Sequence, residues 1–428
     1  MDYTAEIAKK IKDGKKIAIY AVGTSTIMLL NELKEKYQCL PAVLCDRDER
    51  KQGKRYDILY NLDIMSIDKA LAQYPDLEVF IAASNYRHQI IGELTESGKV
   101  PPERIINYVP VEKRIGCRFL ENRMLYMYDK INKPCVCKSC PKIIGYELKD
   151  AERYTMLLRD TSKKMAVDPD STICKGCGAI KEDWYPVDRI FTYVNYCGWH
   201  TCNFKCIYCF GIEQNAKEIQ NRGEIEFGDL IHSYLDNGWL DENYDAILST
   251  VGEPTLHPKR KKFYDAFHGY VMTVNTNGSV FDEDLFAAMN DRKIIAQISL
   301  DAGTKDTFAK VKGVDCFEKV VENIRRYSEA KIGMVMLKYI FLPGTNDSDE
   351  DIAGFLNVME RANVSCANLA IEFQIAGRGG HTSNMKVTDN SLKQMSKLKN
   401  AVLAENKFCF MNTSMETQDL ADTLNSIE

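Results

Sequence analysis

The sequence predicts an α/β protein in which two series of alternating strands and helices flank a cysteine-rich segment. Three observations carry that prediction. Short apolar runs rich in β-branched residues alternate with helical periodicity over the first part of the chain. A second alternation of the same kind runs from Tyr244 to Ala376, and cysteines in close pairs lie between the two. Strands that alternate with helices form parallel sheets whose ligand sites lie at the strands' carboxyl ends. The expected division is 1–115 for a first parallel-sheet unit, 116–185 for a cysteine-rich metal-binding insert, 186–385 for a partial (β/α) barrel, and 386–428 for a covering helix and short strand.

In the first unit, Lys16–Val22 reads as a strand followed by Gly23-Thr24-Ser25-Thr26 and a helix to about Lys36. Pro41–Leu44 is a second strand, ending at Cys45-Asp46-Arg47-Asp48, and Leu62–Met65 and Leu77–Ala83 are the third and fourth. Asp46 stands about where doubly wound folds place an acid near a ribose. Only Gly23 is present where a dinucleotide fingerprint would have three glycines, so a tightly cradled pyrophosphate is not indicated. Ser84-Asn85-Tyr86-Arg87, after the fourth strand, would let polar groups converge on a ligand. The Gly23 turn and the stretch Asp46-Arg47-Asp48-Glu49-Arg50-Lys51-Gln52-Gly53 resemble the Rossmann-like N-terminal domains of some sugar-nucleotide and surface-glycan biosynthetic proteins. A docking domain that binds no small molecule is the alternative.

The middle segment holds Cys135, Cys137 and Cys140, then Cys174 and Cys177. Cys137/Cys140 and Cys174/Cys177 are two C-x-x-C knuckles, and two such turns make a tetrahedral four-cysteine zinc site. An auxiliary iron–sulfur cluster is the other reading, with Cys135 as a spare ligand. Zinc would brace the approach to an active site, whereas a second cluster would accept an electron. Cys197 either joins this site or is simply buried.

The most informative stretch is Cys202-Asn203-Phe204-Lys205-Cys206-Ile207-Tyr208-Cys209. A [4Fe–4S] cube normally takes four cysteines, so the C-x3-C-x2-C set of Cys202, Cys206 and Cys209 leaves one iron open to a non-protein ligand. Open metal positions are where substrates and cofactors dock. Zinc is the alternative, but only Cys206 and Cys209 have the usual pair spacing, with His200 and Cys197 as possible completing ligands. Further motifs follow in order. Thr250-Val251-Gly252-Glu253-Pro254 resembles a G-G-E-P segment with Val251 in place of the first glycine. Asn275-Thr276-Asn277-Gly278 looks like a T-N-G turn, and Ser299-Leu300-Asp301-Ala302-Gly303 is similar to an S-x-D-A segment. With Tyr208 before the last cysteine, these motifs identify residues 195–380 as resembling the core of the radical S-adenosylmethionine (SAM) superfamily.

That resemblance implies a [4Fe–4S] cluster whose open iron is chelated by SAM, and reductive cleavage to a 5′-deoxyadenosyl radical that abstracts hydrogen from substrate. It implies SAM contacts from Tyr208, Gly252, Glu253, Asn277, Ser299 and Asp301. Glu253 would accept from the SAM ammonium, and Ser299 and Asp301, at i and i+2, would share a strand face toward ribose or methionyl groups. Lys338, on the strand-like run Met334–Leu342, is either a partner of the SAM carboxylate or a solvated strand end. Arg378, in Gly377-Arg378-Gly379-Gly380, falls in the loop that passes the adenine. An electron donor of flavodoxin or ferredoxin type is implied as well. Cys316, Cys366 and Cys409 stand alone; Cys316 is the candidate hydrogen donor, as in radical epimerases, against the ordinary reading of a small buried hydrophobe.

Composition sets limits on function. A net charge of −5 and a pI near 5.9 leave no general basic field for nucleic acid, and Lys259-Arg260-Lys261-Lys262 reads as a solvated helix face. No run approaches the roughly 18 apolar residues of a membrane span. Met1-Asp2-Tyr3-Thr4 does not open like a signal peptide. With 15 cysteines and no export signal, metal ligation in a reducing cytoplasm is expected. The expected substrate is a small polar metabolite such as a sugar nucleotide or glycan precursor. Modification of a peptide or partner protein docked on the N-terminal unit is the alternative, and a non-catalytic metal-binding scaffold is a third, different class.

Overall fold

The computed structural model describes residues 2–83, 86–117, 124–130, 133–137, 146–147, 151–178, 180–187, 191–197, 199, 201–209, 227–248, 252–371, 374–376, 382–384 and 388–411. The chain separates into two compact units. The first comprises Met1–Gly198, Gly223–Ile247 and Asp265–Met272, and the second Trp199–Arg222, Leu248–Tyr264 and Thr273–Glu428.

The first unit begins with the expected alternation: α1 (Tyr3–Lys12), β1 (Ile17–Tyr20), α2 (Thr24–Tyr37), β2 (Val43–Cys45), β3 (Ile64–Met65), α3 (Ile67–Gln73), β4 (Glu78–Ile81) and α4 (Arg87–Glu96). The strands are parallel in the order β3-β2-β1-β4. Ala18, Val43, Val79, Ile81 and Ile91 form part of the core on one side of this sheet. At the edge of β4, the carboxamide of Asn107 takes both backbone groups of Ile81, accepting its N–H at 3.0 Å and donating to its C=O at 2.8 Å. Those are the bonds another strand would make.

Two polar features expected to serve a ligand here are engaged internally. Asp46 is buried and accepts from Val22 N at 2.8 Å, Asp48 N at 2.8 Å and Lys51 Nζ at 3.0 Å. Lys51 also donates to Val22 O at 2.8 Å. Asp46 is therefore not an acid held out to a ribose: its carboxylate accepts from Val22 in the loop that leaves β1 and from Asp48 and Lys51 in its own loop after β2. Arg87 is likewise buried in an ion pair with Asp241 at 3.1 Å, and Ser84 and Asn85 lie outside the described residues.

The rest of the first unit is a set of ribbons and helices. β5 (Val111–Cys117) pairs antiparallel with β9 (Ile180–Pro186). β6 (Met124–Lys130), β7 (Lys133–Cys137) and β8 (Tyr146–Glu147) form an antiparallel run. β10 (Phe191–Cys197) pairs parallel with β6 and lies beside β11 (Leu240–Leu248). Helices α5 (Ala151–Val167) and α6 (Phe227–Asp236) belong to the same unit.

The second unit contains βα repeats. Its strands β12 (Met272–Thr276), β13 (Ile294–Ser299), β14 (Met334–Phe341), β15 (Cys366–Ile371) and β18 (Phe408–Met411) are neighbours in that order, and β13, β14, β15 and β18 pair in parallel. Between them run α7 (Glu283–Asp291), α8 (Lys305–Lys312), α9 (Phe317–Tyr327), α10 (Asp349–Arg361) and α11 (Asp389–Ala404). Side-chain caps explain several starts: Thr304, Ser348 and Thr388 each accept an N–H three residues on, at 3.2, 3.1 and 3.1 Å. The apolar run Leu369–Ala376 holds parts of two strands. β15 ends at Ile371, and β16 (Gln374–Ala376) pairs antiparallel with β17 (Thr382–Asn384). Hydrophobic continuity marks a strand but not which partner it finds. Among the described residues no helix is long and apolar enough to cross a membrane.

The sheet of the second unit has two unlike faces. Tyr339 packs edge-on against Phe355 of α10 at 5.0 Å, so its neighbour Lys338 lies on the face away from that helix. Ser299, Lys338 and Asn368 are register partners and share that second face, as does Gln297 two residues before Ser299. Helix α10 also seats on the loop after β13 with no side chain between them. A Cβ on Gly303 would stand 1.8 Å from Asp351 O, and one on Gly354 2.1 Å from Gly303 O. Gly354→Ala is therefore expected to lower the free energy of unfolding by about 1–3 kcal/mol, measured by urea denaturation.

Candidate cluster and cofactor site

Cys202, Cys206 and Cys209 lie on one loop that is tied down on both sides of Cys206. Lys205 N donates to Lys312 O at 3.0 Å and Ile207 N to Val311 O at 3.0 Å. These carbonyls end α8, where C=O groups lack partners within the helix. Gly313 then leaves the helix at φ +70°, and a Cβ there would stand 2.9 Å from Lys205 O. Glycine is thus required both for the left-handed turn and for the close approach of the loop. Cys202 is exposed and the other two are half-buried; none is in a disulfide. Although the residue as a whole is exposed, its sulfur is crowded by neighbouring groups, and that desolvation pushes the Cys202 thiol up to about 11, opposed by the Phe204 N–H and helped by Glu253, Cys206 and Cys209. Among the described residues no three His, Cys, Asp or Glu groups converge as for one metal ion. A cube spreads its thiolates one to an iron, and three thiols on a pinned, accessible loop suit that arrangement.

Beneath the loop lies a buried ion pair. Lys312 Nζ contacts Asp301 Oδ2, with side chains 1% and 0% exposed, and donates to Tyr208 Oη at 2.9 Å. Tyr208 donates to the same Asp301 oxygen at 2.5 Å, and Ile340 N donates to Oδ1 at 2.7 Å. Burial, with Asp301 adding, holds the Tyr208 hydroxyl well above its ordinary range. This corrects the expectation for Asp301: its carboxylate is enclosed and occupied, not turned toward ribose. The i, i+2 reading with Ser299 fails because β13 ends at Ser299 and Asp301 takes φ +54°. Asn346 holds that left-handed turn, donating to Asp301 O and Ile340 O at 2.8 Å each.

Glu253 is a second buried carboxylate, 2% exposed. It accepts from Thr255 N (3.1 Å), Thr255 Oγ1 (2.7 Å), Thr276 Oγ1 (2.6 Å) and Asn277 N (2.7 Å). Burial raises its pKa, and these four bonds act in the opposite direction. Gly252 N and Glu253 N donate to Trp199 O and Thr201 O at 2.8 Å each, stitching this segment to the approach to Cys202. Nearby, His257 is buried between Trp199 and Phe263, with ring centroids 4.5 and 4.8 Å away. Burial, with Arg260 adding, pulls its pKa from 6.5 down to about 4.

On the face of the sheet away from α10, amides link three strands. Asn368 donates to Gln297 Oε1 at 2.9 Å, and Gln297 donates to Asn275 Oδ1 at 2.7 Å. Asn368 Oδ1 is buried and accepts no hydrogen bond among the described residues. Lys338 is half-buried at the middle of β14, between Ser299 and Asn368 in register, so it is not a solvated strand end. Two residues further along β14 and β15, Ile340 and Ala370 pack in one cluster with Ile207 and Tyr208. The cluster loop therefore lies next to this polar layer.

The remaining candidates are more scattered. Arg378 and Cys140 lie outside the described residues; Cys135 and Cys137 are placed in β7 by backbone only. Cys174 is buried and Cys177 half-buried, in a turn closed by Cys177 N to Cys174 O at 2.9 Å. Cys117, absent from the sequence-based list, pairs in register with Ile180 just beyond that turn. Cys316 caps α9, with Lys319 and Asp315 as the charges acting on it. Burial raises the thiols of Cys366 and Cys409, the latter to about 12. Sequence reasoning also missed Lys312, Asn346, Gln297 and Asn368. Lys312-Gly313, a helix-ending pair after the S-x-D-A segment, was the available signal for Lys312.

Two measurements follow from this geometry. Lys312→Met leaves Asp301 buried without its cation and is expected to cost about 3–5 kcal/mol of stability, part of which Asp301→Asn should restore in the double variant, by chemical denaturation. His257 titrates in the unfolded chain first as pH falls, so its contribution is present above about 6.5 and is lost toward 4. His257→Gln should remove about 2 kcal/mol of the stability loss between roughly pH 7 and pH 5.

Residues 197–356 match the family model described as Radical SAM superfamily. A UPF0026 protein of Helicobacter pylori is 28% identical over 184 residues, covering 39% of this chain and 58% of its own length. A "Probable GTP 3′,8-cyclase" of Saccharolobus islandicus is 28% identical over 192 residues, covering 42% of this chain and 56% of its own. The chain thus spans less than two thirds of either relative. Among solved structures, Streptococcus suis SuiB bound to precursor peptide SuiA aligns at a TM-score of 0.43 and 14% identity, over 81% of this chain and 66% of that one. The family match is thus confined to residues 197–356, the part of the chain that carries Cys202, Cys206, Cys209, Glu253 and Asp301, and it is to the radical SAM superfamily that this domain is similar.

Proposed function

We propose that the chain holds a [4Fe–4S] cluster at Cys202, Cys206 and Cys209 and acts on a small polar substrate, such as a sugar nucleotide or another glycan precursor. Held by Cys202, Cys206 and Cys209, the cluster would supply, with SAM, radical chemistry for removing a hydrogen atom from the substrate. The observation that carries the substrate class is the polar layer beside the cluster loop. Asn275, Gln297 and Asn368 form a linked set of amides on one sheet face, with Asn368 Oδ1 buried as an acceptor suited to a substrate hydroxyl or amine. The relatives named GTP 3′,8-cyclases act, by their name, on a nucleotide, which accords with this class.

In this reading the chain's own residues divide the work. Tyr208, Asp301 and Lys312 keep the cysteine loop seated on α8, while Gly252 and Glu253 order its approach. Ser299 and Lys338 lie one strand apart in register and would meet the hydroxyl and carboxylate groups of SAM. Arg378 would pass the adenine. Cys137, Cys140, Cys174 and Cys177 would hold zinc that braces the approach to the active site, and Cys135 would join them only if the group is an auxiliary iron–sulfur cluster. An electron donor of flavodoxin or ferredoxin type would supply the reducing equivalent, and the substrate radical would resolve by epimerisation, dehydration, dehydrogenation or rearrangement.

Cys206→Ala in anaerobically reconstituted protein should abolish formation of 5′-deoxyadenosine from SAM under dithionite; persistence of that product would remove the cluster assignment. Zinc content should stay near one per chain in the same variant. Deuterium from labelled sugar nucleotides should appear in 5′-deoxyadenosine, and Asn368→Leu should raise KM by about tenfold, the loss of one buried hydrogen bond. Label transferred only from a peptide would overturn the small-substrate reading.

A further inference from the structure

Asn277 follows β12 and is 8% exposed. Every polar atom of its side chain has a partner. Oδ1 accepts from Ser279 N at 2.9 Å, and Nδ2 donates to Asn203 Oδ1 at 2.9 Å and to Cys202 Sγ at 3.7 Å. The last distance is long for oxygen but within the reach of a larger sulfur acceptor. These partners also decide which end of the amide is nitrogen. Turned over, its oxygen would face Asn203 Oδ1 and its NH2 group the Ser279 N–H, setting acceptor against acceptor and donor against donor. Its backbone is fixed too, because Asn277 N donates to buried Glu253 Oε2 at 2.7 Å.

We infer that Asn277 is a positioning residue that sets the reduction potential of the cluster through an N–H···S bond to Cys202. The inference rests on the reading of Cys202 as a cluster ligand. Reduction adds one electron from an external donor, with no proton, and spreads negative charge onto the cluster and its sulfurs. A fixed N–H dipole aimed at a ligand sulfur stabilises the more negative, reduced state, so hydrogen bonds to sulfur are one of the levers on iron–sulfur potentials. Phe204 N, at 3.4 Å, gives Cys202 a second donor from its own loop. The Asn277 bond differs because it comes from a segment distant in sequence and is aimed by Glu253. On this account the inward-turned Glu253 carboxylate acts through Asn277, holding the donor at a constant angle to the sulfur.

The test is a potentiometric titration of anaerobically reconstituted protein with dithionite, followed by the EPR signal of the reduced cluster. Asn277→Leu, close in shape but without a donor, should shift the midpoint to more negative potential at unchanged iron content. Asn203→Ala removes the other Nδ2 partner, keeps the sulfur bond, and should stay near the wild-type midpoint. An Asn277→Leu midpoint equal to wild type, or an equal shift in both variants, would overturn the inference. If Asn277→Leu does not load iron, pulsed EPR of reduced wild-type protein labelled with 15N-asparagine decides: a coupling to asparagine nitrogen is expected, and its absence overturns the proposal. Wild-type protein that forms no cubane cluster would instead overturn the cluster reading itself.

Discussion

Asp301 is a carboxylate with no exposed surface, and an isolated charge in that position would be costly enough to force protonation or unfolding. It is tolerated because Lys312, Tyr208 and the N–H of Ile340 converge on it from three separate segments. Each contact fixes a different part of the site. Lys312 ends α8, whose carbonyls receive the cysteine loop; Tyr208 belongs to that loop; Ile340 belongs to β14. One buried charge therefore joins loop, helix and sheet, and losing any partner leaves the others with an unsatisfied ion.

Glu253 performs a similar task on the other flank. Its four hydrogen bonds tie the segment after Gly252 to the Thr276–Asn277 turn, and Gly252 and Glu253 bind the chain just before Cys202 through their backbone. The two carboxylates that the family resemblance marks for cofactor contact are thus both turned inward. Their shared effect is order: both carboxylates draw the cysteine loop and the segments beside it onto fixed hydrogen-bond partners.

The sequence made much of this fold legible. Strands β1 to β4, β12 to β14, α11 and β18 fall where periodicity placed them, because each buries one face and the repeat of apolar residues records it, whereas β5 to β10 of the first unit carried no such expectation. The cysteine loop was legible for another reason, since its ligands are close neighbours in the chain. The two misreadings have a common physical origin. Asp46 and Asp301 were assigned outward from their positions in motifs, yet both carboxylates close onto N–H and ammonium groups that arrive from elsewhere. A motif specifies that an acid is needed, not which way it turns. β15 and β16 share one apolar run in the sequence, which carries no mark of the pairing partner each finds.

By itself, then, the sequence determined the α/β class, the order of the strands along the chain and the three-cysteine set, all of which depend on local spacing or local burial. Only the tertiary structure decided that Lys312 balances Asp301, that Asn277 reaches Cys202, and that Asn275, Gln297 and Asn368 join into one polar layer. Those partners are separated by at least eleven residues and usually by far more. Hydrogen bonds and ion pairs act over a few ångströms of space, so they exist only once parallel strands have brought distant segments side by side.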